Sequence, residues 1–236
     1  MTPTTLPKLF LTSAGITNPR LNAALVDLLG KPIAESTALA IPTSSYGHPN
    51  VSPHQAWKFI AGVEHRTPMV ELGWKSVGIL ELAALPSIGD DRWVEWVREA
   101  DVLLVNGGDP LYLAYWMRES GLADLLPSWP GVYVGLSAGS LVMTPRIGED
   151  FVHWRPPTER AGHPGGDACL GFVDFAIFPH LDNPGLPENT MADAERWAAG
   201  MPLPCYAIDD DTGIRIVDGA LDVVSGGQWK LFNGAA

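Results

Sequence analysis

Short apolar runs, each closed by small or turn-forming residues and followed by a stretch of helical period, recur along the first part of the chain. Runs of this kind read as strands buried on both faces, and their alternation with helix-period segments is the pattern of a parallel sheet with crossover helices. Lys8 to Thr12 predicts the first strand, ended by Ser13-Ala14-Gly15, and Pro19 to Leu29 a helix stopped by Gly30. Ala38 to Ile41 is a second strand cut off by Pro42, followed by a loop from Thr43 to Pro53 and a helix from Gln55 to about Glu64. Val77 to Leu80, Val102 to Asn106 and Val132 to Gly135 are further strands, with a helix from Asp91 to Glu99 between the first two of them.

Asp109-Pro110 has the form of a helix start, a side-chain acceptor before a proline, and the helix it opens carries Leu113, Trp116 and Met117 on one face until near Gly121. Glu149 to Gly166 has no period and many Pro, Gly and charged residues, so it reads as a long surface loop of the kind that carries function. Strands resume at Val173 to Phe178, a helix runs from Glu188 to Ala199 before Gly200, and Tyr206-Ala207-Ile208 is another short apolar run. Gly213 to Val217, Leu221 to Val224 and Trp229 to Phe232 suggest a C-terminal antiparallel meander. The expected fold is therefore α/β, a mostly parallel central sheet with helices on both sides and a C-terminal antiparallel extension. At 236 residues, with neither repeat nor linker, one domain is expected.

Composition narrows the function. With 46% hydrophobic and 18% charged residues the chain can bury a core, which excludes disorder and a disulfide-stapled miniprotein. A net charge of −12 with no Lys/Arg run lacks the footprint of a nucleic-acid binder. Cys169 and Cys205 stand apart rather than in a C-x-x-C pair, as in a reducing compartment, and no apolar stretch approaches 18 residues, so a cytoplasmic protein without membrane association is expected. The six histidines form no H-E-x-x-H motif, and no metal is expected. Nine tryptophans exceed the needs of an average core of this size, leaving some for a pocket or for the contact of a homodimer.

Gly135-Leu136-Ser137-Ala138-Gly139 is a G-x-S-x-G at the end of an apolar run and the start of a helix-compatible Ser140-Leu141-Val142-Met143. In such a nucleophile elbow the serine occupies a strained turn, and the glycines are required because a Cβ would strike neighbouring backbone. The plain alternative is a glycine-rich turn with an N-cap serine. A serine hydroxyl needs a base, and the base an acceptor that orients it. Of the histidines, His48, His54 and His65 lie in or near the early loop and helix, and His153 and His163 in the irregular stretch. His180 follows Phe178-Pro179 at a strand end, the edge of an open parallel sheet where Ser137 also falls, and is the candidate base. Asp209-Asp210-Asp211 ends the run at Ile208; one of these carboxylates turned inward would serve as the acceptor. Asn106-Gly107-Gly108-Asp109 supplies bare backbone amides before a helix, and the amides of Gly108 and Ala138 are the candidate oxyanion hole. Asp109, whose charge would oppose an oxyanion unless it caps the helix, is kept with Ser13 and Arg146 as a candidate substrate contact. Arg20 and Arg155 are further sources of a positive field. The order Ser, His, Asp differs from that of the α/β-hydrolases.

Taken in order, Leu11-Thr12-Ser13-Ala14-Gly15, Gly107-Gly108-Asp109, the serine pentapeptide, Phe178-Pro179-His180 and Ile208-Asp209-Asp210 resemble the peptidase E family over nearly the whole chain. These serine peptidases are related to aspartyl dipeptidase and cyanophycinase and share the class I glutamine amidotransferase-like fold. The resemblance implies a flavodoxin-like three-layer sandwich and hydrolysis of small peptides without a cofactor. Ser137 would be the nucleophile, His180 the base and Asp210 the orienting acid, with Asp209 and Asp211 close behind. An acid soon after the elbow, Glu149 or Asp150, is the other place the family suggests. Two departures stand out: the family has Asn where this chain has Asp109, and the arginine credited with selectivity for an N-terminal aspartate has no counterpart here except Arg196. A scaffold relative that binds ligand without catalysis is the competing reading.

Overall fold

The computed structural model describes residues 7–63, 67–156 and 165–234. Parallel strands β1 (Lys8–Thr12), β2 (Thr37–Ile41), β3 (Ser76–Ile79), β4 (Val102–Val105) and β5 (Val132–Leu136) lie in the order β3-β2-β4-β5-β1. After them in sequence, β6 (Ala176–Phe178) and β7 (Cys205–Ile208) form a separate parallel pair. The hairpin β8 (Thr212–Val217) and β9 (Ala220–Ser225) then returns to the main sheet, where β8 pairs antiparallel with β1, giving seven strands. Last, β10 (Trp229–Phe232) runs antiparallel to β7.

Period-two alternation sends successive side chains of each central strand to opposite faces, and helices cover both. Leu103 and Val105 of β4 join a core with Trp93 and Val97 of α3 (Asp90–Glu99), Leu113 and Met117 of α4 (Pro110–Glu119) and Leu122 of α5 (Leu122–Leu125). Val102 and Leu104 pack on the other face with Leu21 and Leu25 of α1 (Pro19–Leu29) and Phe59 of α2 (Pro53–Ala61). The expected architecture is thus present: a mostly parallel central sheet between helices.

Several boundaries and one topology differ from expectation. The α2 helix begins at Pro53 and not Gln55, because Ser52 and Gln55 form a capping box with proline at the first position, and it ends at Gly62 in the left-handed region; Glu64 lies outside the described residues. The last helix, α7, spans Met191–Ala199 and starts after Glu188, because Thr190 and Asp193 cap it reciprocally. The strand expected from Val173 is confined to Ala176–Phe178. The C-terminal strands are not one meander: β8 and β9 extend the main sheet while β10 crosses to β7.

Register decides where the site forms. Thr12 pairs with Leu136, and Val105 with both Ile41 and Gly135, so the carboxyl ends of β1, β2, β4 and β5 share one edge. In the small sheet Phe178 pairs with Ala207, so the chain leaving β6 toward His180 runs beside the chain leaving β7 toward Asp210. Ser13 joins the two edges: its hydroxyl donates to the Ile208 carbonyl (3.0 Å) and accepts from the His180 N–H (3.1 Å).

Candidate active site

Ser137 sits between β5 and the short helix α6 (Ala138–Leu141) at φ 49°, ψ −112°, a conformation that a residue with a side chain adopts only under constraint. The constraint is a buried web: Ser137 N–H and Ser140 Oγ both donate to Thr12 carbonyl (2.9 and 2.8 Å), Thr12 Oγ1 donates to Gly135 carbonyl (2.7 Å), and the Tyr133 hydroxyl donates to Gly139 carbonyl (2.7 Å). A Cβ at Gly135 would come within 2.5 Å of the Gly139 oxygen, and one at Gly139 within 2.3 Å of the Val105 oxygen. Close backbone approach is what demands both glycines.

His180 also has positive φ, 56°, which turns its ring back toward β5. Nε2 is 3.0 Å from Ser137 Oγ and Nδ1 is 2.6 Å from Asp210 Oδ1. An ionised carboxylate only accepts, so the proton rests on Nδ1 and the Nε2 lone pair faces the hydroxyl. Burial pushes the Asp210 carboxyl up, but the hydrogen bond and charge of His180, with a further bond from Asn183, outweigh it and leave the group below the ordinary carboxylate value. The alternatives for this place are engaged elsewhere. Asp209 accepts from the Asp211 N–H (3.1 Å), from Thr212 Oγ1 (2.6 Å) and from the Gln228 N–H. Asp211 accepts from Thr17 and Asn18. Glu149 and Asp150 are exposed, and Glu149 lies 3.9 Å from Arg155.

Ser137 and His180 open onto a cavity of about 530 Å³ that Gly107, Gly108 and Ala138 also line, with apolar walls from Val51, Phe59, Leu141 and Phe151. Ala138 begins α6, so its N–H has no partner within that helix. Gly108 has φ 144°, and a Cβ there would lie 2.3 Å from the Ser44 oxygen. The loop is braced by Ser44 Oγ, 2.8 Å from the carbonyls of both Asn106 and Gly107.

The three expected substrate contacts lie off the cavity wall. Asp109 is fully buried and caps α4, its Oδ1 accepting from the Tyr112 N–H (2.8 Å). Burial, only partly offset by that bond, by other nearby backbone N–H groups and by His153, raises its pKa, and among the described residues its Oδ2 has no hydrogen-bond partner. Ser13 is fully buried and spends its hydroxyl on Ile208 and His180. Arg146 forms a two-pronged bond to Asp167 (2.9 and 2.8 Å). Of the other cations, Arg20 donates to the Ser225 carbonyl and Arg196 pairs with Asp193. His48 and His153 do line the cavity, 5.2 Å apart; His65 and His163 lie outside the described residues. Two participants were not expected. Tyr133 reads in sequence only as a core aromatic, and Asn183, which donates to Asp210 Oδ2 (2.5 Å), reads as one more turn residue in a Pro-rich loop.

Solved structures carry the same fold. A protein from Listeria monocytogenes EGD-e assigned to peptidase E superposes with a TM-score of 0.66 at 19% identity, covering 94% of this chain and all of that one. A peptidase from an acI-B1 Actinobacterium gives 0.64 at 20%, covering 96% of this chain and 90% of that one. At such identities the likeness speaks for the fold alone. No curated protein matches the chain in sequence. Fold and family place the molecule in the class of serine peptidases. Its residues 9–224 match the model of peptidase family S51, and the chain belongs to that family, the peptidase E family. Among the described residues no helix is long and apolar enough to cross a membrane.

Proposed function

We propose that the protein hydrolyses small peptides through Ser137, His180 and Asp210, with the amides of Gly108 and Ala138 receiving the oxyanion. The observation that carries this reading is the unbroken hydrogen-bonded line from Ser137 Oγ through His180 to Asp210 at the wall of the cavity. His180 Nε2 takes the hydroxyl proton as Ser137 attacks the scissile carbonyl, and returns it to the leaving amine. Asp210 holds the Nδ1 tautomer and stabilises the imidazolium that forms. Water then enters along the same path and attacks the acyl carbonyl as His180 takes its proton; His180 returns that proton to Ser137 Oγ as the acyl–oxygen bond breaks and the acid leaves. As the carbonyl becomes tetrahedral, its oxygen gains charge beside Gly108 and Ala138, where each well-aimed donor contributes about 3–4 kcal/mol to the transition state. Asp109 stays compatible with that charge because its side chain is turned into the α4 cap.

A cavity of about 530 Å³ suits a ligand of a few residues. Its walls favour an apolar side chain beside the scissile bond. Assay of Ser137→Ala on a panel of dipeptides and tripeptides tests the proposal: hydrolysis is expected to fall by a factor on the order of 10⁴ or more with the melting temperature preserved. Undiminished turnover by that variant overturns it.

A further inference from the structure

We infer that Asn183 is a fourth, positioning member of the Ser137–His180–Asp210 line, holding the second oxygen of Asp210 so that the first stays on the imidazole. The inference rests on the catalytic reading above. Asp210 presents each oxygen to one side-chain partner: Oδ1 to His180 Nδ1 at 2.6 Å and Oδ2 to Asn183 Nδ2 at 2.5 Å. Without the second bond a carboxylate on a loop can rotate about its Cβ–Cγ axis, and the imidazole loses both its orientation and its tautomer preference.

The amide itself is held. Asn183 Oδ1 accepts from the Gly185 N–H (2.7 Å), so the oxygen end of the side chain is already committed and the nitrogen end must face Asp210. The Asn183 N–H donates to the His180 carbonyl (3.1 Å), so the residue that grips the acid and the residue that carries the imidazole are parts of one turn. That turn includes a positive φ at both His180 and Asp182 and is tied down at its far side, where the Asp182 N–H donates to the Asn189 carbonyl (2.7 Å) and Asn189 Nδ2 to the Pro179 carbonyl (2.9 Å). Any displacement of His180 therefore carries the donor to Asp210 with it.

The chemistry of the donor matters too. A lysine or arginine in this place would neutralise Asp210 and weaken its attraction for the imidazolium, whereas a neutral amide stabilises the ionised carboxylate without cancelling its charge. Asn183 also stands where solvent reaches the acid: it lines, with Asp209, Asp210 and Gln228, a shallow hollow of about 200 Å³ behind the line, and the Asp210 side chain is 35% exposed.

The test uses Asn183→Ala and Asn183→Asp beside wild type. A positioning bond is bounded by the proton transfer it serves, about 10²–10⁴ in rate. Asn183→Ala is expected to lower kcat on the order of tenfold to a hundredfold with KM little changed. Asn183→Asp keeps the shape but removes the donor and adds a like charge, so it is expected to lose more and to move the acid limb of the kcat profile to higher pH. The downfield proton resonance of His180 Nδ1 should weaken or shift in both variants while their melting temperatures stay near wild type. An unchanged kcat, acid limb and Nδ1 resonance in the two variants of an active enzyme overturns the role of Asn183 and leaves the catalytic line standing. A wild-type Ser137 that no fluorophosphonate labels overturns the catalytic line itself.

Discussion

At the scale of single residues, the site is a set of side chains whose second bonds determine their first. Asp210 is distinguished from its neighbours by what the turn does to them: Asp209 closes the turn on Asp211, Thr212 and Gln228, Asp211 faces Thr17 and Asn18, and only the middle carboxylate is left for His180. The family resemblance puts Asp210 first, with Asp209 and Asp211 close behind and Glu149 or Asp150 as the other place. The residues alone could not choose within the triplet, because three adjacent carboxylates look alike until the direction of the turn is known. Asp109 makes a separate prediction. A carboxyl raised by burial destabilises the fold when ionised: the penalty is absent below the ordinary carboxylate value, grows as pH rises from there to the raised value, and is constant above. Asp109→Asn keeps the cap on Tyr112 and removes the buried charge, leaving a neutral amide nitrogen where the unpartnered oxygen stood. It is expected to stabilise the protein by about 1 kcal/mol at pH 7, a rise of about 2–4 °C in Tm, and the gain should shrink toward pH 4. Thermal melts of the two proteins across that range decide it; a loss of stability at pH 7 contradicts the assignment.

At the scale of elements, the site depends on two sheets that meet through Ser13. Ser137 leaves the main sheet after β5, His180 and Asp210 leave the small sheet after β6 and β7, and the Ser13 hydroxyl at the end of β1 holds the second group against the first. Ser13→Ala removes both bonds; the Ile208 carbonyl keeps the Leu181 N–H (3.1 Å), but the His180 N–H loses its acceptor, at a cost of about 1–3 kcal/mol. It is expected to lower kcat while leaving KM nearly unchanged. A rise in KM alone would restore Ser13 to the substrate-contact role that its place after β1 suggests. The strands and most helices were legible because buried parallel strands are nearly continuous apolar runs and the helix signals at Asp109 and Gly30 are local. Which strands pair was not: nothing in Trp229–Phe232 shows that it adds to β7 and not to β9, since partner choice is a tertiary matter.

At the scale of the whole molecule, the charge balance sets the pH range of the fold. Asp101, Asp167 and Asp210 are each held below the ordinary carboxylate value by hydrogen bonds and neighbouring cations that outweigh burial, so each adds stability that is full above that value and lost as pH falls through its lowered one. The net charge of −12 works the other way near neutrality, where self-repulsion is relieved by salt. Stability is therefore expected to rise modestly with added sodium chloride at pH 7 and to fall steeply below about pH 4. Chemical denaturation along both axes checks this, and stability that increases on acidification past pH 4 contradicts it. The family could be recognised from motifs spread over the chain because they fall at strand ends that the fold gathers on adjoining edges.

The account rests on Ser137 being made nucleophilic by His180, and covalent trapping measures that most directly. Wild type, Ser137→Ala and His180→Ala are treated with a fluorophosphonate at neutral pH, and the modified peptide is located by mass spectrometry. The expected result is a single adduct on Ser137 in wild type, none at that position in Ser137→Ala, and labelling slowed at least a hundredfold in His180→Ala. A wild-type Ser137 that stays unmodified, or one that labels equally fast without His180, contradicts the account.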